Sequence, residues 1–243
     1  SPSLYKLPFD PVRDLAPVSQ LTSLPNILVV HPSLPVKSVK ELIAFVKARP
    51  GQLNFGSSGV ATGTHLSMEL FMHMTGLKMV HIPYKGGSLN VNALIAGETQ
   101  VNFSTISTAL QHVKTGRLRA LAVSTAKRAA AAPDIPTVNE ALGLKDFQIM
   151  AWYAIMAPVG LPDSIVQKLA LANDKALVDP ALIERTTALS MRSSQSALGS
   201  LSRSRPAQVR SRLCRATLDA TSPPPRSRTR SMTPMPPSPR RPA

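Results

Sequence analysis

Apolar positions along this chain alternate between two rhythms, short unbroken runs and a helical repeat. Residues 26–30 (NILVV) form a short apolar run rich in β-branched side chains between Pro25 and Pro32, which predicts a buried strand. SVKE at 38–41 has the form of a capping box, and the helix it opens extends to about Ala48, where Pro50-Gly51 stops it. A strand at 53–55 leads into a loop of Gly and small hydroxyl residues at 56–64. The helix behind that loop places Leu66, Leu70, Phe71 and Met74 on one face. Strands follow at 79–82, 100–104 and 118–124. Between them lie helices at 89–96, ended by Gly97, and at 108–114, ended by Gly116. Strict alternation with short links predicts an α/β layer on a largely parallel sheet. Ligands of such sheets bind beyond the carboxyl ends of the strands, so the loops at 56–64, 84–89 and 104–108 are the ones to watch.

Further on, TVNE at 137–140 is a second capping box. Residues 147–157 (FQIMAWYAIMA) predict a strand. A long helix from 161 to about 178 is broken at Asp179-Pro180, and another continues to about 189. After Ser190 the periodicity ends. The last 53 residues contain no Lys, Ile, Phe, Tyr or Trp and are dominated by Arg, Ser and Pro. Such a segment buries too little apolar surface to offset its chain entropy, so disorder is expected over 191–243.

Composition adjusts this picture in three ways. The net charge of +15 over 243 residues is mostly a property of the tail: residues 191–243 hold 11 Arg against one acid, Asp219. The single cysteine, Cys214, excludes an intramolecular disulfide. No apolar run reaches the ~18 residues that span a bilayer, and the opening SPSLYKLPFDPVRDL lacks the apolar core of a signal peptide. That opening does not resemble a natural start, and a missing N-terminus is expected.

The chemistry concentrates in the loop at 56–64. Gly56, Gly59 and Gly63 carry no Cβ to block approach to a ligand, and Thr62 or Thr64 stands where a hydroxyl caps the following helix. The first turn, 65–67, holds no acid, and Glu69 is the first. The free N–H groups and positive end of the helix are then unopposed, which suits a carboxylate or phosphate. A tight turn with a capped helix and no ligand fits the same residues.

Other chemistries are weaker. His65, Glu69 and His73 share one helix face at i, i+4, i+8, but a face more than two turns long does not close all three on one ion. No Lys follows the glycines as a P-loop requires. No motif sets a His and an acid beside Ser57 for acyl transfer. The Arg-rich tail predicts non-specific polyanion binding but has no aromatic residue for base stacking. No metal, no cofactor and no specific nucleic acid are expected.

Several segments together resemble the tripartite tricarboxylate transporter receptors, also called Bug receptors. They are LPFDPVRDLAPVSQL, NILVVHPSLPVKSVKELIAFVKARPGQLNFGSSG, the HLxxELF of the loop helix, HIPYKGG, LRALAVSTAKR, PDIPTVNEA and APVGLPDSIV. The resemblance covers roughly residues 1–190. It implies a type II periplasmic-binding-protein-like α/β fold: a partial domain 1 and hinge at 1–24, a ligand-binding domain 2 at 25–125, and a return segment of domain 1 at 126–190. It further implies a monomeric periplasmic receptor, not an enzyme, that closes on a small carboxylate and hands it to a membrane permease. The family loop GSSGxGTxxHL maps onto 56–66, with Val60 and Ala61 departing from its commoner Asn and Gly. Carried over, the ligand-binding residues are Ser57, Ser58, Gly59, Thr62 and Thr64, with Tyr84, Gly86 and Gly87 after the next strand, and Ser104 and Thr105 after the third. A turn with a merely solvated Lys85 fits the second group equally well. By the same resemblance part of domain 1 and half the ligand site precede this chain. A shifted reading frame past Ser190 would explain the tail, and translating the other two frames tests that.

Overall fold

The computed structural model describes residues 6–11, 13–188 and 192–193. In chain order the elements are β1 (Leu15–Val30), α1 (Val39–Lys47), β2 (Asn54–Ser57), α2 (Gly63–Thr75), β3 (Val80–Pro83), α3 (Gly87–Ile95) and β4 (Val101–Thr105). There follow α4 (Ile106–Lys114), β5 (Arg119–Val123), α5 (Val138–Leu142), β6 (Met150–Pro158), α6 (Asp163–Leu177), α7 (Pro180–Ala188) and the two-residue β7 (Arg192–Ser193). The expected tail disorder otherwise falls outside the described residues.

Strands order as β3-β2-β4-β1-β5, with β6 and β7 also on β1. β2 pairs in parallel with β3 and with β4. β1 is antiparallel to both β4 and β5. The expectation of a largely parallel sheet therefore needs correction at its centre. β1 enters from a second ladder, where it lies antiparallel to β6 from Leu15↔Pro158 to Pro25↔Met150, so a β–α–β crossover does not set its direction. Its second half explains the NILVV run. Leu28 and Val30 pack on one side of the sheet with α1, α2 and α5. Ile27 and Val29 pack on the other with α3 and α4. A strand covered on both faces needs apolar residues at every position.

Helix ends follow local chemistry. Thr137 and Glu140 form a complete capping box. At α1 the Ser38 hydroxyl accepts from Glu41 N, as expected, but the Glu41 carboxylate takes the Lys37 N–H at 2.9 Å. The return strand β6 is thinly covered. Its core with α6 comprises Val18, Ala157 and Ala170, and Trp152 and Met156 remain 46% and 40% exposed. Among the described residues no helix is long and apolar enough to cross a membrane.

Candidate functional site

β2, β3 and β4 point the same way, and each runs at its carboxyl end into a helix. Those three helices share a feature. α2, α3 and α4 have no acidic residue in the first turn and no side-chain hydrogen bond at the cap. The other helices are different. Glu41, Glu140 and Asp163 occupy the first turns of α1, α5 and α6, and Asp179 accepts the Leu182 N–H at the start of α7. The positive ends of helices are thus neutralised elsewhere and left open along this one edge, which favours an anion there.

The three starts converge. Gly86 N donates to Ser58 O at 3.2 Å and Tyr84 N to Ser57 O at 3.0 Å. A Cβ on Gly87 would stand 3.4 Å from Thr108 Cγ2 and 3.8 Å from Ser58 Oγ. Ser58, Gly87 and Thr108, one from each loop, are therefore neighbours. Gly86 has φ 118°, a conformation natural only to glycine, and it lets α3 begin against the β2 loop. A hollow of about 470 Å³ lined by Leu7, Phe9 and Arg13 belongs to the segment before β1 and shares no residue with this edge.

The predicted site residues divide into groups. Ser58, Gly86, Gly87 and Thr105 lie at the convergence, with Gly59 and Thr62 beside it. Thr105 is the N-cap residue of α4, and its hydroxyl sits 2.9 Å from that of Thr108. Ser57 and Ser104 are interior. Ser57 is fully buried, with Oγ 3.0 Å from Gly59 O and 2.7 Å from His81 Nε2. Ser104 is 1% exposed and accepts from Asn90 Nδ2. Both hydroxyls are turned into the fold, that of Ser57 between His81 and Gly59 and that of Ser104 toward Asn90. The Tyr84 hydroxyl donates at 3.1 Å to Glu98, beyond the far end of α3, and burial first and that bond second raise its pKa.

The loop itself also departs from expectation. Thr62 occupies the N-cap position of α2, but no threonine hydroxyl makes a capping hydrogen bond there. Thr62 Oγ1 donates to Gly59 O at 2.8 Å, and buried Thr64 Oγ1 accepts the Ser58 N–H at 3.0 Å. The amides of Gly59, Ala61 and Thr62 are used on Ser57 Oγ, His65 Nδ1 and Gly59 O. The turn's own amides are thus largely consumed in holding its shape. The donors left for an anion are those of the helix first turns, which have no intrahelical acceptor.

The structure adds residues that the sequence reading passed over. Asn90 and Asn102 are fully buried between α3 and β4. Asn102 Oδ1 accepts Gly56 N at 2.6 Å, while its Nδ2 donates to Asn90 Oδ1 at 2.7 Å. This pair ties β2, α3 and β4 together beneath the convergence. The visible signal was a polar residue inside an apolar run, VNF and NVNALI. A histidine also lies beside Ser57 after all. His81 is desolvated, and His65 lies close by; both effects lower its pKa, to about 4. Ser57 is sealed from solvent, which closes it to acyl chemistry. Among the described residues no group of three or more His, Cys, Asp or Glu is placed to hold a metal ion.

Comparison with known proteins places the chain among relatives. Residues 1–201 match the profile of the tripartite tricarboxylate transporter family receptors. BugT of Bordetella pertussis is 36% identical over 178 residues, which is 73% of this chain and 54% of BugT. A Rhodopseudomonas palustris protein solved with adipate superposes with a TM-score of 0.74 at 30% identity, covering 87% of this chain and 70% of that one. MatC from the same organism, solved with bound malate, gives 0.77 at 26% identity over 89% and 70%. The chain spans about half the length of the curated relatives it matches.

Proposed function

Because the chain belongs to the tripartite tricarboxylate transporter receptor family, a family of transport receptors and not of enzymes, we propose that it captures a small dicarboxylate at the edge where α2, α3 and α4 begin. The observation that carries this reading is the selective absence of acids and caps from those three helix starts. A dianion there meets three positive helix ends at once. Ser58, Gly86, Gly87 and Thr105 line the contact, with Gly59 and Thr62 on its rim. Thr64, Ser57 and Ser104 act from behind by holding the loops. The choice of a dicarboxylate is supported by relatives solved with adipate and malate.

No Lys or Arg occurs in these three loops other than Lys85, which is exposed. Capture by neutral donors holds an anion without an ion pair, which suits a receptor that must also release its load. Residues 26–149 form one lobe, since α5 and Phe147 pack into its core, and 13–25 with 150–188 belong to the other. β1 and the segment before β6 cross between them, and bending there closes the cleft. The closed form is then recognised by a membrane permease at the periplasmic face.

Titration calorimetry and thermal shift with malate, adipate and citrate test the reading. Binding of at least one at micromolar to low millimolar affinity is expected. No heat and no shift with all three, on a chain that melts cooperatively, overturns it.

A further inference from the structure

We propose that His65 is a positioning residue for the ligand loop, its neutral ring holding the left-handed turn at Ala61 through Nδ1 while it stacks on His81. The inference draws on the dicarboxylate reading for the purpose of the loop, but not for the way the loop is held.

Ala61 has φ 63° and is the one non-glycine with positive φ among the described residues. An L side chain does not settle there unaided, so something nearby must hold it. The Ala61 N–H points at His65 Nδ1, 3.2 Å away. An amide only donates, so Nδ1 must carry the lone pair and the ring proton must sit on Nε2. Nε2 lies 3.4 Å from Glu69 Oε1 on the next turn of the helix.

The ring plane is fixed independently. His65 stacks on His81 at 4.0 Å between centroids and 17° between planes, and His81 stacks on Phe55 at 4.8 Å and 16°. His81 is anchored by Ser57 Oγ, the atom that also accepts the Gly59 N–H at 3.2 Å. The two imidazoles therefore grip the loop on either side of Val60, His65 at Ala61 and His81, through Ser57, at Gly59. Val60 itself is 48% exposed.

The arrangement works only with neutral rings. A proton added at His65 Nδ1 replaces the acceptor with a donor aimed at the Ala61 N–H. It also sets a cation against His81, whose burial already disfavours charge. The groups facing His65 are few. Its own helix supplies Glu69, β3 supplies His81, and β2 supplies the uncharged Phe55.

The experiment is NMR on the full chain with two variants. His65→Asn keeps an acceptor oxygen near the place of Nδ1, and His65→Phe keeps the stacked ring but deletes the acceptor. Long-range imidazole correlations in the wild type should show Nδ1 bare and Nε2 protonated at neutral pH. Ala61 amide exchange, corrected for its intrinsic pH dependence, should accelerate about tenfold in His65→Phe, as expected for loss of one hydrogen bond. It should stay near wild type in His65→Asn. A proton on Nδ1 at neutral pH, or equal Ala61 exchange in wild type and His65→Phe, overturns the proposal. Should His65→Phe fail to fold, the wild-type tautomer and the Ala61 exchange rate of His65→Asn still decide it. Malate and adipate titrations on the same samples separate the two claims. Failure of the wild type to bind either ligand counts against the dicarboxylate reading and leaves the loop measurements to judge His65.

Discussion

Gly56 shows how little room the site leaves. It is fully enclosed at the end of β2, and a Cβ there would overlap Asn90 Oδ1 and stand 2.9 Å from Asn102 Nδ2. Both neighbours are buried amides locked to each other, so neither gives way without losing a hydrogen bond. Gly56→Ala should cost about 1–3 kcal/mol, read as a lower urea midpoint at unchanged m-value. Gly51, whose Cβ would meet nothing within 4 Å, offers the contrast: Gly51→Ala should cost less, only the strain of its φ of 75°. His81 gives a pH signature. Its folded pKa is about 4 against an ordinary 6.5, so between those values the unfolded chain binds a proton that the folded chain refuses. Stability from this residue is complete above pH 6.5 and is lost as pH falls toward 4. The urea midpoint should therefore drop over that window, and drop less in His81→Phe, which keeps the stack on Phe55 without the titrating group. Equal slopes in the two proteins would remove His81 from the account. Neighbouring Ser57 and Ser58 show why site residues are half-legible. At a strand end successive side chains point to opposite faces, so one serine of the pair had to turn inward. Which one depends on His81, twenty-four positions away, and no local pattern carries that.

At the scale of elements, legibility followed burial. NILVV was readable because both its faces are covered, and TVNE because a capping box is a purely local device. The first half of β1 was not readable. Its polar positions look like loop, yet Ser19 is 5% exposed because Asn173 of α6 reaches across to its hydroxyl at 2.7 Å. A long-range partner turned a polar residue into a core one. The helix starts at Gly87 and Ile106 come two residues earlier than the apolar repeat suggests, because α3 opens with Gly87 and Ser88, and in α4 the buried Ile106 is followed by Ser107 and Thr108. These openings support a test in which stability and binding move in opposite directions. Ser88 is exposed in the first turn of α3. Ser88→Asp supplies the missing negative charge and should stabilise the fold by about 0.3–1 kcal/mol. The same charge beside a bound dicarboxylate should weaken its affinity at least about tenfold. A gain in melting temperature with affinity unchanged would show that the acid-free turn serves something other than an anion.

For the whole molecule, the question is what joins the two ladders. The alternation of strands and helices leads to a parallel sheet, and β2, β3 and β4 obey it. The antiparallel β1 escapes that logic because its direction is inherited from its pairing with β6. The chain crosses between ladders twice, once in β1 at Pro25 and Asn26 and once before β6. Both crossings are pinned to Ser124. Asn26 N donates to Ser124 Oγ at 2.9 Å, and Ser124 N donates to Asn26 O at 2.8 Å. Ser124 Oγ in turn donates to Ile149 O at 2.6 Å, and Ile149 N donates back to Ser124 O at 3.0 Å. One buried hydroxyl thus serves as acceptor for the first crossing and donor for the second. Ser124→Ala keeps the shape and both backbone bonds but strands a buried N–H and a buried carbonyl, a loss of about 1–3 kcal/mol. If the crossings are where the lobes hinge, the damage should be local in a particular way. Amide exchange at Asn26 should quicken more than at Leu28 or Phe103, deep in the larger core. Ligand-induced protection near β1 and β6 should shrink even where the first-turn amides of α2, α3 and α4 still respond. Uniform acceleration through both ladders would instead mean that Ser124 merely supports one cooperative unit, and the hinge would have to be sought elsewhere.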